Sequence, residues 1–213
     1  MGFLLAAALA AAVATPQETT APQPPRRSFL KDVGVAASGT VAVALLKPDI
    51  RRALFRDARF SNVVENFAHP VRQVRRGTER DTDPFWVNNV AHPGLFALEA
   101  LYLKRRGYRD GTAFLFTQVH SVLWEFAVEG SAFEPSGKDL LADAGGAAAA
   151  LWVFRPLAQR STKRLDEGRG RWWDKALRWL DPVDAIGGPR EKNLTVQPIL
   201  GRGAAGLVVA VAF

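Results

Sequence analysis

Residues 112–129 constrain the fold more than any other part of the chain. Large apolar side chains occupy most positions there, so a helix formed by this segment has to be buried against protein or lipid. Polar residues nevertheless recur at every fourth position on one stripe of that helix, at Thr117, Ser121, Glu125 and Glu129. Two carboxylates at this spacing repel each other, and burial strengthens the repulsion. We therefore predict that at least one of the two is protonated, hydrogen-bonded or paired with a cation.

A second helix is predicted over residues 136–157. Pro135 precedes it, and Ser136 with Asp139 three residues later matches the capping box that begins many helices. Small residues then form one ridge, although each glycine inside a helix costs about 1 kcal/mol relative to alanine. Close approach of a partner helix offsets that cost, so this helix and the preceding one are predicted to form a tight hairpin. The ridge consists of Ala142, Gly145, Gly146, Ala149 and Ala150.

The N-terminal region carries two competing export signals. Residues 1–14 are almost wholly apolar and end in a small-x-small pattern, which is typical of a cleaved signal peptide. Alternatively, Arg26 and Arg27 begin a twin-arginine pattern, with a signal that ends near residue 47. Residues 15–28 are rich in Pro and Thr and predict an extended linker. By either route we expect an exported protein, located in the periplasm or associated with the outer membrane.

The remainder is predicted to be mainly α-helical. Residues 29–180 are expected to form a compact helical bundle built on the tight hairpin. Residues 181–213 are expected to form a loop and a β-strand tail, because large and small side chains alternate over 207–213. Residues 68–84 carry interleaved acids and bases, which predicts a solvated loop rather than a surface for nucleic acid.

Composition narrows the possible sites and partners. The chain has no cysteine, which excludes disulfides, thiolate zinc sites, iron–sulfur clusters and a cysteine nucleophile. Its formal net charge of +7 suits anionic partners. Because an exported protein seldom meets nucleic acid, we expect membrane lipid or another envelope protein instead. The candidates for a membrane interface are Arg171, Trp172, Trp173 and Lys175, with core packing of the Trp pair as the alternative.

Three clusters of residues follow one another in the middle of the chain. They are Asp83-Pro84-Phe85 with Asn88 and His92-Pro93, then Ser121 to Glu125 with Glu129, and then Glu134-Pro135-Ser136 through Asp139 to Gly145-Gly146. Their order and spacing resemble the bacterial domain of unknown function 3943, over roughly residues 57–152. The resemblance implies an exported, mostly helical, envelope-associated protein of unestablished activity. Its matched residues here are Asn88, His92, Pro93, Trp124, Glu125, Glu129, Pro135, Ser136, Asp139, Gly145 and Gly146, whereas His69 and His120 depart from the pattern.

Two interpretations of the polar residues stay open. In the first, one pocket gathers the catalytic candidates His92, Glu125, Glu129 and Asp139. A divalent metal bound by the first three, or a general acid and base, would then act on lipid or cell-wall material as a membrane-surface hydrolase or transferase. In the second, His92 hydrogen-bonds Glu125, Asp139 caps its own helix and Glu129 ends the preceding helix at the surface. The network is then purely structural.

The sequence favours the structural interpretation. It contains no His-Glu-x-x-His, no Gly-x-Ser-x-Gly and no phosphate-binding glycine loop. We therefore predict a structural or membrane-contacting module with a buried His/carboxylate network, and leave open whether the protein is an enzyme.

Overall fold

The computed structural model describes residues 29–46, 48–81, 83–187, 193–201 and 204–212. The signal peptide and linker predicted over residues 1–28 lie outside this part. The described residues are mostly helical, which confirms the predicted bundle. The α-helices are α1 (Phe29–Leu46), α2 (Pro48–Arg56), α3 (Phe60–Ala68), α4 (Pro70–Arg80), α5 (His92–Arg105), α6 (Asp110–Leu123), α7 (Gly137–Ala149), α8 (Arg155–Asp166), α9 (Trp172–Leu177) and α10 (Pro182–Gly187).

Short π-helical turns interrupt the helical runs. They span Val87–Ala91, Trp124–Val128 and Ala150–Phe154. Two of them end shortly before a proline, Pro93 or Pro156. Proline lacks the N–H of a regular helix and its ring presses on the carbonyl four residues earlier, so a wider turn at this point lets the chain stay helical. Single 3-10 turns span Glu129–Ser131 and Arg178–Leu180.

The core lies between α5, α6 and α7 and contains many small side chains. Ala100, Ala113 and Ala147 are fully buried there, and they pack with Leu103 and Leu151. Alanine side chains let helix axes approach closely, because little more than the backbone separates them.

The closest approach in this core joins α7 to α5. A Cβ atom placed on Gly146 would lie 2.1 Å from the backbone oxygen of Pro93. The predicted hairpin is present, because helix α6 contacts α7. The position that requires a glycine, however, faces the first turn of α5 instead of α6.

Residues 70–80 form helix α4, so the solvated loop predicted over residues 68–84 is wrong. Pro70 occupies the first turn, where its missing N–H needs no partner. Arg76 and Arg80 both pair with Glu134 on the far side of the hairpin turn. The charges thus line one side of a helix, while Gly77 packs against the Pro135 backbone on another.

The C-terminal part contains one helix and two strands. Helix α10 is held by the buried guanidinium of Arg105, which donates to the Gly187 oxygen at 2.8 Å and to Asp184 Oδ1 at 2.9 Å. The predicted tail strand is present as β2 (Ala204–Ala212). It pairs antiparallel with β1 (Asn193–Gly201), with Asn193 opposite Ala212.

Candidate functional site

The polar stripe of α6 faces the protein interior, as predicted. Thr117, Ser121 and Glu125 are almost completely buried, with exposed fractions of 0%, 1% and 3%. They face the first turns of α7, whose own buried residues include Asp139 and Asp143. The stripe and these two aspartates form a polar site enclosed by helices.

His92 enters this site from the start of α5. Its Nδ1 lies 3.1 Å from Oδ1 of Asp143, and the second oxygen of Asp143 accepts a hydrogen bond of 2.6 Å from the Ser121 hydroxyl. His92 therefore bonds Asp143, not Glu125 as the structural interpretation had it. The sequence analysis missed Asp143, although its position four residues after Asp139 places both on one face of α7.

Glu125 caps helix α7 from a neighbouring element. Its Oε2 accepts the Ser136 backbone N–H at 2.9 Å, while the Ser136 hydroxyl accepts the Asp139 N–H at 3.5 Å. In a capping box the acid three residues into the helix would take the first of these bonds. Because Glu125 takes it here, only half of the predicted box forms and the Asp139 carboxylate stays available.

Three potential ligand atoms converge in the site. One from each of His92, Glu125 and Asp139 lies within 4.8 Å of the other two, and all three residues are buried by their neighbours. Oε1 of Glu125 and Oδ1 of Asp139 are buried and have no hydrogen-bond partner among the described residues. Buried carboxylate oxygens normally have a donor, so these two oxygens mark a place for a proton or a cation.

Burial and the surrounding charges shift the protonation of this cluster. Burial, followed by the nearby charge of Glu129, raises the pKa of Glu125 well above its usual range. Burial also raises the pKa of Asp139, to about 6. Burial alone would lower the pKa of His92, but the hydrogen bond and charge of Asp143 outweigh it and raise that pKa to about 9. The cluster therefore favours bound protons or another positive charge.

Glu129 is not among the three converging residues. Its Oε2 accepts a hydrogen bond of 2.8 Å from Nε1 of the buried Trp124. The metal set predicted from sequence included Glu129, whereas the structure places Asp139 beside His92 and Glu125. Both acids of the predicted repelling pair are hydrogen-bonded, as their spacing required.

Asn88 extends the polar site toward the end of α4. Its Nδ2 donates to Oδ2 of Asp81 at 2.7 Å, and the same oxygen accepts a bond of 3.4 Å from the Ser136 hydroxyl. Oδ1 of Asn88 is buried without a partner among the described residues. The matched residues Asn88 and Ser136 are thus connected through one aspartate.

A second His–carboxylate pair joins α5 to α6. His120 Nδ1 lies 2.7 Å from Oε2 of the buried Glu99. Burial raises the pKa of Glu99 above its usual range. The sequence analysis missed Glu99, although it follows His92 by seven residues and so shares its side of α5. His69, by contrast, is largely exposed beside Glu65.

The outer surface of the bundle is unusually apolar. On α6, Val119, Val122 and Leu123 are 49%, 40% and 49% exposed, although the polar stripe of the same helix is buried. Leu141 on α7 and Trp152 in the following π turn are 76% and 50% exposed. Residues 137–166 are also the one helical run among the described residues with the length and apolarity to cross a membrane, and 33% of its most apolar window is buried.

The aromatic residues of α9 lie at the surface. Trp172 is 76% exposed, and Arg171 stacks over the Trp173 ring at 4.9 Å from its centroid. Lys175 is exposed on the same short helix. Core packing, the alternative for this Trp pair, is therefore not what the structure shows for Trp172.

Comparison with known proteins identifies a family. The family model described as Domain of unknown function (DUF3943) matches residues 77–183, which is about half of the chain. The match includes His92, Glu125, Asp139 and Asp143, and it continues beyond the region of resemblance through α8 and α9. No curated protein and no solved structure matches the chain.

Proposed function

The chain belongs to the family described as Domain of unknown function (DUF3943), and we propose on that premise that it is a membrane-contacting structural module of the cell envelope. Its apolar outer face rests against lipid, and its buried polar network holds the helices in register. The observation that carries the proposal is the apolar outer face, on which Val122, Leu123 and Trp152 are exposed while acids and hydroxyls of the same helices are buried.

An apolar outer face costs free energy when a helical bundle is surrounded by water. Contiguous apolar patches of more than a few hundred Å² usually mark an interface with protein or membrane. On this chain exposed apolar residues continue from α6 to α7 and the π turn after it, since Phe114 and Trp152 are in ring contact at 5.1 Å. In lipid, polar groups have to find their partners inside the protein, as Ser121 and Asp143 do.

Lipid is favoured over a protein partner by the residues of α9. Trp and Arg side chains are typical of the boundary between hydrocarbon and headgroups, where an aromatic body and a charged tip are both satisfied. Both kinds of group are supplied by Trp172, Trp173, Arg171 and Lys175. Helix α9 packs on α8, which follows the apolar residues of α7 and the π turn. The net charge of +7 complements an anionic membrane surface.

Export completes the proposal. The apolar segment at residues 1–14 and the twin-arginine pattern at Arg26 and Arg27 both support delivery to the periplasm or the outer membrane. We expect the N-terminal sequence of the processed protein to identify the route, because the two signals end about thirty residues apart.

Vesicle flotation tests the lipid contact. We expect purified protein to float with vesicles of phosphatidylcholine and phosphatidylglycerol, and less so with phosphatidylcholine alone. V122E with L123E should abolish flotation because it places charges in the apolar face. F60E is the matched control, since Phe60 is also a large apolar residue and is 80% exposed, but it lies on α3 instead of α6 or α7. Flotation unchanged by V122E/L123E would contradict the proposal, as would self-association without any vesicle binding.

The membrane-surface hydrolase or transferase is the second candidate. Glu125 and Asp139, with unpartnered oxygens beside an imidazole, have the groups that an acid–base pair needs. Their burial closes the site to a lipid headgroup, which is why the structural role is preferred. Turnover of phospholipid or peptidoglycan fragments that is lost in E125Q would favour the enzyme.

A further inference from the structure

The converging side chains of the polar site come from three separate elements. His92 begins α5, Glu125 lies in the π turn after α6, and Asp139 lies in the first turn of α7. Their ligand atoms are all within 4.8 Å of one another. Two ligands of a tetrahedral first-row metal ion lie about 3.4 Å apart, from metal–ligand distances of about 2.1 Å. Binding an ion would therefore draw these three side chains together by up to about 1 Å from their present positions.

Two carboxylate oxygens in the cluster need a positive partner. Glu125 is 3% exposed, its Oε2 is used by the Ser136 N–H, and its Oε1 has no partner among the described residues. Asp139 has an unpartnered Oδ1 in the same place. Both oxygens are shielded from bulk solvent, and a proton or a cation between them would compensate their desolvation cost.

The surroundings of His92 fix how its ring is presented. Asp143 is fully buried and accepts the Nδ1 proton of His92, and Ser121 donates to the other oxygen of Asp143. Because Nδ1 faces Asp143, Nε2 is the ring nitrogen left for a metal ion, which would take the place of the proton there. Histidine ligands of metals are usually oriented by a carboxylate in this way.

From these observations we propose that His92, Glu125 and Asp139 bind one divalent first-row transition-metal ion. One imidazole nitrogen and two carboxylate oxygens suit Zn²⁺ or Mn²⁺ better than Mg²⁺ or Ca²⁺, which bind almost entirely through oxygen. The ion ties the start of α5 and the end of the α6 region to the start of α7. The site does not depend on the lipid contact proposed above, and each can fail without the other.

Metal titration of the full chain tests the site. The protein is stripped with a chelator, and Zn²⁺, Mn²⁺ and Mg²⁺ are each titrated by calorimetry, with bound metal counted by elemental analysis after dialysis. We expect one Zn²⁺ or Mn²⁺ per chain and much weaker binding of Mg²⁺. Co²⁺ provides a spectroscopic readout, because a nitrogen-and-oxygen site gives it visible absorption bands that free Co²⁺ lacks at the same intensity.

Variants assign the ligands. D139N is the most conservative, because Oδ1 of Asp139 has no hydrogen bond to lose among the described residues, and E125Q keeps an oxygen for the Ser136 N–H. Each should weaken metal binding by about 100-fold, and D143N by about 10–100-fold through the orientation of His92. H120Q is the matched control, since His120 forms a buried His–Glu pair with Glu99, to which the described residues add no third ligand. It should bind metal as the wild type does.

The contrary outcomes are equally definite. A stripped wild-type protein that is folded by circular dichroism and binds neither Zn²⁺ nor Mn²⁺ would overturn the proposal and leave a proton in the cluster. Unchanged affinity in folded D139N and E125Q would place any bound ion elsewhere. If E125Q fails to fold, D139N with the Co²⁺ spectrum decides the question alone.

Discussion

Gly146 and Pro93 face each other across the tightest helix contact of the bundle. The space that a Cβ atom would occupy at Gly146 is already filled by the Pro93 backbone, with the oxygen at 2.1 Å and Cα at 2.5 Å. Because the obstacle is backbone, it has no rotamer that avoids the clash. This contact also sets how far the first turn of α5, which carries His92, lies from Asp143 on α7.

Gly146→Ala should therefore push α5 and α7 apart. We expect a loss of about 1–3 kcal/mol in the free energy of unfolding, as is typical of overpacked sites, measured by chemical denaturation. The neighbouring glycine is the control, because nothing lies within 4 Å of a Cβ at Gly145. Gly145→Ala should gain about 0.5–1 kcal/mol from helix propensity. Equal effects in the two variants would show that the Pro93 contact does not control the helix distance.

Asn66 secures the end of the α6 region to α3. The buried Nδ2 of Asn66 donates to the Phe126 oxygen at 3.2 Å and to the Gly130 oxygen at 2.9 Å. Asn66→Ala would leave both buried carbonyls without this donor, and we expect a loss of about 1–3 kcal/mol by the same denaturation measurement. Asn89→Ala is the comparison, since Asn89 donates to the Phe85 oxygen at the surface. Its effect should be smaller, and a larger one would contradict this account.

Arg105 should be essential for docking α10. Its side chain is 6% exposed and ion-paired with Asp184, and it also donates to the Gly187 oxygen. Arg105→Ala removes one partner of a largely buried pair, for which a loss of about 3–5 kcal/mol is typical. Faster hydrogen exchange confined to residues 182–187 would locate the effect. Arg75→Ala breaks the exposed pair with Glu79 and should change stability by less than about 1 kcal/mol.

Local signals in the sequence predicted much of the architecture. The helix start at Ser136, the buried stripe of α6 and the strand at the C-terminus all depend on short-range periodicity or capping, and all three are present. Pairings between residues far apart in the sequence could not be predicted from such local signals. The small-residue ridge indicated a close partner helix but carried no information on which helix that would be.

The residues of the polar site were likewise predicted only in part. Glu125, Asp139 and His92 were singled out correctly as neighbours, but Glu129 was grouped with them and Asp143 was overlooked. The π turn at Trp124–Val128 changes the helical register between Glu125 and Glu129, and no four-residue periodicity reveals such a turn. The role of Asp143 can be recognised only when α5 and α7 are placed face to face, because its partner His92 is 51 residues away in the sequence.

Acid should release the start of α9 by protonating Asp174, at a pH below that at which carboxyls of ordinary pKa take up a proton. Asp174 is fully buried and accepts hydrogen bonds from Arg164 Nε and from the Arg171 N–H, both at 2.9 Å. The Arg164 guanidinium, followed by the Arg171 N–H, lowers the pKa of Asp174 from 3.8 to about 2. A carboxyl whose pKa is lower when folded stabilises the protein above its unfolded pKa, and this contribution is lost as the pH falls toward about 2.

Asp174→Asn should therefore be less stable than the wild type near neutral pH, and the difference should shrink between about pH 4 and pH 2 in urea denaturation. Asp166→Asn, which changes an exposed carboxylate on α8, should give no such convergence, and a pH-independent difference for Asp174→Asn would show that its charge contributes nothing to the cap.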